Sequence, residues 1–235
     1  MPNERKGTSK IVALAQARMG ATRLPNKMML SLHGIPVVEW IFRRVSKSTG
    51  IDALVFAIPD TPSDDVLALH LERIGAIVYR GSEDDVLSRI YLAAATHGAD
   101  YVVRICCDNP LVSPQAIDSL IEFYFDQQND YAYNHIPRGN RYPDGLGAEI
   151  TTFRILKLLH LEAKLPEQRE HIFNYIWDNH DRFSIATFDP ANPLLLRPDL
   201  KLDIDNWQDY YVLSEAGIYP DMGDTDIIMT LGAIK

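Results

Sequence analysis

Apolar positions recur along this chain in two alternating patterns. Ile11, Val12, Ala13, Leu14 and Ala15 form an unbroken apolar run, which suits a strand buried on both faces. After a polar stretch, Val38, Ile41, Phe42 and Val45 fall at the spacing of one helix face, and Pro36 suits its first turn. Residues 53–58 read as a second strand, ended by Pro59 and Asp60. Leu67, Leu71 and Ile74 set a helix over residues 64–74, and residues 76–79 make a short third strand. Ser82 is placed to cap a helix carrying Val86, Leu87, Ile90, Tyr91 and Ala94, which Gly98 stops. Residues 101–105 read as a fourth strand, and Ser113 and Pro114 open a helix with Ile117, Leu120, Ile121 and Tyr124.

This alternation predicts βαβ units, a mainly parallel sheet and an α/β fold class. Further on, residues 131–134, 148–152, 183–187 and 200–204 read as strands, and residues 153–161, 166–179 and 206–216 as helices. Neither a repeat nor a low-complexity stretch nor a linker interrupts the pattern, so residues 1–235 are read as one domain. Residues 137–147, rich in Pro, Gly and Arg, read as a mobile loop. Open parallel sheets bind ligands at the carboxyl ends of their strands. Chemistry is therefore expected in the loops after Ala15, Ile58, Tyr79 and Ile105.

Charge narrows the partners. There are 23 Lys+Arg against 32 Asp+Glu, a formal net charge of −9. Such a chain repels a phosphate backbone at long range, so no nucleic-acid partner is expected. A small anion requires a locally basic pocket. No apolar run approaches the ~18 residues that span a bilayer. Residues 1–10 are polar and basic, and the apolar run behind them is short for a signal peptide. The expectation is a cytoplasmic protein with no membrane partner. Cys106 and Cys107 are adjacent and cannot staple distant segments; they read as small residues at a strand end. The seven histidines lack ligand spacing, so zinc is not expected.

The segment after the first strand stands out. Between Gln16 and Lys27 it carries three cations, Arg18, Arg23 and Lys27. Gly20 offers a close backbone turn and Pro25 stiffens the approach to Lys27. Cations plus backbone N–H groups make a phosphate cradle; the plain alternative is a solvated basic loop. Neither the dinucleotide fingerprint nor the P-loop pattern is present.

The run from Arg18 to Lys27 resembles the R-x-G-S-x-R-L-P-x-K loop of sugar-acid cytidylyltransferases. These include acylneuraminate and 3-deoxy-manno-octulosonate cytidylyltransferases, and among them the spore coat polysaccharide biosynthesis protein F branch. The likeness continues through Arg80–Arg89, then Arg104, Asp108 and Pro110, then Pro143–Glu149, Arg169–His171, and Leu202–Asp209. Six landmarks in order span nearly the whole chain. Departures occur at Ala21, Asn26, Cys106, Cys107 and Gly147.

The resemblance implies a Rossmann-like nucleotide-diphospho-sugar transferase fold with a small β-containing dimerisation and acceptor arm. It also implies a reaction: CTP plus a sugar acid gives a CMP-sugar and pyrophosphate, with Mg²⁺ as cofactor, for surface polysaccharide. Roughly residues 11–125 would bind nucleotide, and residues 126–235 the acceptor and a second metal ligand. Catalysis falls to Arg18, Lys27 and Asp108. Nucleotide binding falls to Ala17, Arg18, Gly20, Arg23, Lys27, Arg80, Ser82 and Asp85. Metal ligation is assigned to Asp108 and Asp205, with Asp203 and Asp209 read as structural. Acceptor binding is assigned to Tyr142, Asp144, Glu149, Arg169, Glu170 and His171.

Plainer readings stand beside these. Arg23 could be a surface residue pairing with an acidic neighbour, and Asp205 a helix N-cap. Ser82 and Asp85 could be ordinary caps, and His171 a brace within its helix rather than a base. The resemblance also implies a homodimer, with residues 137–170 as its contact arm. Two alternative functions remain: a nucleotidyltransferase making a CDP-linked product from a sugar or polyol phosphate, and a non-catalytic nucleotide-binding homologue.

Overall fold

The unbroken apolar run forms β1 (Ile11–Gln16), which is hydrogen-bonded to a parallel strand on each side. The computed structural model describes residues 9–233, so most of the polar, basic start lies outside the described residues. The stretch after β1 holds a 3-10 turn at Lys27–Met29. A small hairpin follows, made of β2 (Ser31–Leu32) and β3 (Ile35–Pro36) and turned by His33 and Gly34 at positive φ. Helix α1 (Val37–Val45) starts one residue beyond Pro36, which sits at its N-cap and not in its first turn.

The alternation then proceeds as the pattern predicts: β4 (Ala53–Pro59), α2 (Asp65–Arg73), β5 (Ile77–Gly81), α3 (Val86–Thr96), β6 (Tyr101–Cys106) and α4 (Pro114–Gln127). Ser113 caps α4 by accepting from Ala116 N–H at 2.9 Å. The cap of α3 is Asp85, not Ser82: Asp85 Oδ1 accepts from Ser88 N–H at 2.9 Å, while Ser82 Oγ accepts from Asp85 N–H.

In the second half β7 (Tyr131–Tyr133) and β8 (Glu149–Thr152) join the sheet, and α5 (Phe153–Glu162) follows. The expected helix over 166–179 is two pieces, α6 (Pro166–Glu170) and α7 (Asn174–Asp178), broken where His171 turns extended. Gln168 Nε2 donates to Asp178 Oδ2 at 2.7 Å, which folds the two pieces together. The strand expected over 183–187 shrinks to β9 (Ile185–Ala186). Residues 200–204 bury Leu200, Leu202 and Ile204 in strand-like alternation, yet form only a single bridge, Lys201 to Asp144. Helices α8 (Trp207–Glu215) and α9 (Asp224–Gly232) close the chain.

The sheet runs β5-β4-β1-β6-β8-β7-β9. Its first four strands are parallel, β8 is antiparallel to both neighbours, and β9 is parallel to β7. Side chains of β1 divide between the two faces. Ile11, Ala13 and Ala15 pack with Trp40, Ile41 and Leu67 of α1 and α2. Val12 and Leu14 pack with Leu87, Ile90 and Leu156 of α3 and α5. Burial on both faces explains why β1 shows no polar alternation. It also leaves the carboxyl ends of β1, β4, β5 and β6 side by side on one edge.

Candidate active site

The loop leaving β1 is braced from beneath. Buried Asp64 accepts from Met19 N–H at 2.8 Å and from Thr61 Oγ1 at 2.6 Å. Ala21 and Asn26 N–H donate to the Met19 carbonyl, and the N–H of buried Ala17 reaches the Ala57 carbonyl at 3.4 Å. Several N–H groups of the expected phosphate cradle are thus spent on the loop itself. Gly20 does not take the left-handed conformation, and a Cβ there would come no closer than 3.9 Å to Glu83. The left-handed turn falls instead on Asn26, with φ of 59°.

The loop's cations meet carboxylates from distant segments. Lys27 Nζ lies 2.5 Å from Asp108 Oδ1 and donates to the Ile204 carbonyl at 2.7 Å. Ile204 N–H in turn donates to the Asp108 carbonyl at 2.7 Å. This closed set docks residues 204–205 against the end of β6. Arg23 reaches Asp205 Oδ1 at 3.1 Å, so Arg23 is indeed an exposed cation with an acidic partner, and that partner is the second expected metal ligand. Asp205 is not a cap: Asn206 fills that place for α8, accepting from Gln208 and Asp209 N–H. Arg18 points elsewhere, to Glu170 of α6 at 2.8 Å.

Two hard carboxylates, Asp108 and Asp205, therefore come from segments bound to each other. Among the described residues no three His, Cys, Asp or Glu side chains form a metal cluster. The protein alone does not enclose a cation. Two carboxylates completed by phosphate oxygens and water are nevertheless the usual donor set for Mg²⁺, so these residues fit that ion. The group is open to solvent, and the surface hollows around Leu194 and Met229, and around Lys164 and Arg169, share no residue with it.

Residues expected at the nucleotide base are tied to protein groups. Arg80 Nη1 lies 2.6 Å from Asp65, its Nη2 donates to the Thr61 carbonyl at 2.7 Å, and its Nε is 3.2 Å from Asp60. It fastens the end of β5 to the start of α2. Asp85, besides capping α3, takes a two-pronged bond from Arg169, at 3.0 and 2.5 Å. Burial works to raise the Asp85 carboxyl, but Arg169 and Ser88 N–H outweigh it and hold the group below its ordinary range.

The expected acceptor set is corrected in several places. Arg169 has its fork on Asp85 and Nη1 on the His160 carbonyl, so it is a tie between α3 and α5, not a spare carboxylate receptor. Tyr142 is a core residue: its ring packs edge-on against Phe188, and burial pushes its hydroxyl up to about 12. Glu149 is buried in the sheet, bonded to Arg104 and the Tyr131 hydroxyl, and offers no oxygen to a sugar. Glu170 holds Arg18, and His171 is the exposed end of α6. Asp144 remains near the carboxylate pair: its backbone bridges Lys201, and burial keeps its carboxyl above the usual range, with Lys201 opposing and Asp205 adding to the shift.

Lys201 is the residue the sequence reading missed. Its Nζ lies 2.6 Å from Asp209, 3.4 Å from Asp205 and 3.5 Å from Asp203. Burial works against its charge, yet the three carboxylates raise it to about 12. The signal was present: Lys201, Asp203 and Asp205 sit at i, i+2 and i+4, which is one face of an extended segment.

Comparison with known proteins places the chain in a family. The cytidylyltransferase family signature covers residues 12–229. An uncharacterized protein of Methanocaldococcus jannaschii is 33% identical over 218 residues, spanning 93% of this chain and 87% of its own. The spore coat polysaccharide biosynthesis protein SpsF of Bacillus subtilis is 31% identical over 230 residues, spanning 94% and 93%. A solved cytidylyltransferase from Leptospira borgpetersenii superposes with a TM-score of 0.87 at 27% identity, over 97% of this chain and 95% of that one. A CMP:2-keto-3-deoxy-manno-octonic acid synthetase solved with CTP shares the fold, with a TM-score of 0.60 at 18% identity over 78% and 91%. The fold is that of a nucleotidyltransferase. The chain belongs to the cytidylyltransferase family.

Proposed function

We propose that this protein transfers the CMP group of CTP to a sugar acid of the nonulosonate or octulosonate type, releasing pyrophosphate, for surface glycan synthesis. The observation that supports it most is the contact set of Lys27, Asp108 and Ile204 beside Asp205, at the carboxyl edge of β1 and β6. Such a step is catalysed by positioning and charge stabilisation.

In this reading the acceptor hydroxyl attacks the α-phosphorus, its proton is lost to solvent, the new P–O bond forms, and the bond to pyrophosphate breaks. Lys27 is nearly buried and held by two oxygens, so it presents a fixed positive charge to the developing oxyanion. Arg18 and Arg23, each on a partly exposed carboxylate, exchange that partner for the phosphate chain. Asp108 and Asp205 would hold Mg²⁺, which when bound neutralises charge on the triphosphate. Asp144 is the hydroxyl acceptor of the original set that stays beside them.

The sugar-phosphate alternative needs spare basic groups in the second half. Of the four arginines that could serve it, Arg141 is on Asp189, Arg154 near Asp130 and Arg169 on Asp85, while Arg138 lies over the Trp177 ring; three of the four already face a carboxylate, which favours the sugar acid. The test is a matrix of the four nucleoside triphosphates against 3-deoxy-manno-octulosonate, N-acetylneuraminate and sugar phosphates, with and without Mg²⁺. Pyrophosphate and product mass are read. The expected result is release only with CTP, a sugar acid and metal, giving a product with one phosphorus. Silence with every sugar acid, or a product linked through two phosphates, overturns the proposal. A homodimer belongs to the same reading, and sedimentation at the mass of one chain would remove it.

A further inference from the structure

We propose that Arg104 supplies the guanidinium fork that receives the carboxylate of the acceptor, with Glu149 as the residue that aims it. This rests on the sugar-acid reading above and deepens it. The expected fork, Arg169, is spent on Asp85. Arg18 is on Glu170, Arg80 on Asp60 and Asp65, and Arg141 on Asp189. Arg104 is placed differently.

Arg104 stands in β6 directly opposite Glu149 of β8. Its Nη1 donates to Glu149, whose other oxygen takes the Tyr131 hydroxyl, and His135 Nε2 lies 3.8 Å away. One end of the guanidinium is therefore fixed. The remaining side, Nε with Nη2, is the edge that matches a carboxylate with two parallel bonds. Nε has no hydrogen-bond partner. Nη2 has only Gln16 Oε1 at 3.5 Å and Cys106 Sγ at 4.0 Å, the outer limit of such contacts. A guanidinium edge left this poorly satisfied in a mostly buried place is costly unless a ligand completes it.

Position gives the ligand its class. Gln16 and Cys106 are paired residues at the carboxyl ends of β1 and β6, and both are half-buried. Gln16 leads directly into Ala17 and Arg18, and Cys106 precedes Asp108 by two residues. The unpartnered edge of Arg104 thus lies between the nucleotide loop and the first carboxylate, where an acceptor must sit to reach the α-phosphorus. Cys106 is small and half-buried, with its Sγ 4.0 Å from Arg104 Nη2. His135 Nδ1 is the second unpartnered atom around Glu149. The His135 carbonyl accepts from Gly145 N–H at 2.8 Å, which ties it to the loop carrying Asp144.

The experiment measures the steady-state parameters of the full-length protein for CTP and for acceptor separately. The probes are 3-deoxy-manno-octulosonate and N-acetylneuraminate, each as the free acid and as its carboxamide. The variants are Arg104→Lys, which keeps the charge and loses the fork, and Arg104→Gln combined with Glu149→Gln, which leaves no lone buried charge. Wild type is expected to prefer the acid. Both variants should raise the acceptor KM by about 10- to 100-fold, keep the CTP KM within about twofold, and lose the acid-over-amide preference. Equal loss for CTP and acceptor would mark Arg104 as merely structural and overturn the proposal, as would an acceptor KM that does not move. If wild type turns over neither acid while still binding CTP by calorimetry, the sugar-acid reading falls first and takes this inference with it.

Discussion

Lys27 and Asp108 are joined by a contact of 2.5 Å, and the same ammonium reaches the Ile204 carbonyl, 177 positions along the chain. One side chain thus sets the spacing between the first loop, the end of β6 and the segment that carries Asp205. The loop's 3-10 turn, Lys27–Met29, fixes the stem of Lys27 against the core, where Met28 is also buried. Position and charge come from separate parts of the residue: the stem packs, and the head bonds.

Replacing Lys27 by Met tests this separation. The Ile204 carbonyl and Asp108 then lose their shared donor, at a cost of about 1–3 kcal/mol in stability. Activity should fall by roughly 10²–10³-fold, the usual size of one lost stabilising group. Urea unfolding and kcat/KM, measured on the same sample, check both numbers.

Asp85 and Arg169 give a pH signature. The folded carboxyl lies below its ordinary value, so its ion pair contributes stability above pH about 4 and loses it as pH falls through the lowered value. Asp85→Asn keeps the helix cap and removes the ion pair alone. Asp85 is 35% exposed, so solvent weakens the pair and the expected loss at pH 7 is about 0.5–1 kcal/mol. Unfolding curves of wild type and variant should converge as pH drops below about 4.

Arg44 holds the last helix in place. Its guanidinium donates to the Val112, Pro220 and Met222 carbonyls and to Asp224, which also takes the Ser113 hydroxyl. Both ions are buried, so removing either partner strands the other. Arg44→Met is expected to cost about 3–5 kcal/mol in denaturant titration. CTP binding by the protein that remains folded should be unchanged in calorimetry.

Gly147 carries a steric constraint. A Cβ there would overlap the side chain and the backbone carbonyl of buried Asn134. Asn134 cannot yield, since it donates to the Ala116 carbonyl and accepts from Ala148 N–H, both at 2.9 Å. Gly147→Ala should therefore destabilise by about 1–3 kcal/mol or more, read as a fall in melting temperature.

What was legible in the sequence followed from local pattern. The runs of β1, β4 and β6 are apolar because those strands are covered on both faces, and a covered strand has few other ways to look. Helix α9 lies outside the elements expected from the sequence, although Ile227, Ile228 and Leu231 carry a helical spacing. The helix expected across 166–179 kept its periodicity, and only the tertiary bond between Gln168 and Asp178 shows why it bends. Residues 200–204 look like a strand because they alternate; what they pair with, Asp144 and Asp108, is loop and not ladder.

Side-chain commitments were the harder part. Arg169 and Asp85 each read well as ligand groups, and 84 positions of chain hide the fact that they bind each other. Glu149 read as a hydroxyl acceptor from the family resemblance; in the sheet it stands opposite Arg104 in antiparallel register and is bonded to it. Lys27 and Asp108 were expected from the loops that follow β1 and β6, where such sheets bind ligands; Asp205 rested on the family resemblance, since 200–204 form no strand of the sheet.

The most direct measurement is pyrophosphate release from CTP, with Mg²⁺ and a sugar acid, by wild type and Asp108→Asn side by side. Circular dichroism on both samples secures that the variant is folded. The account expects steady release by wild type and a loss of at least about 10²-fold in the variant. A folded Asp108→Asn protein that turns over at the wild-type rate would contradict it.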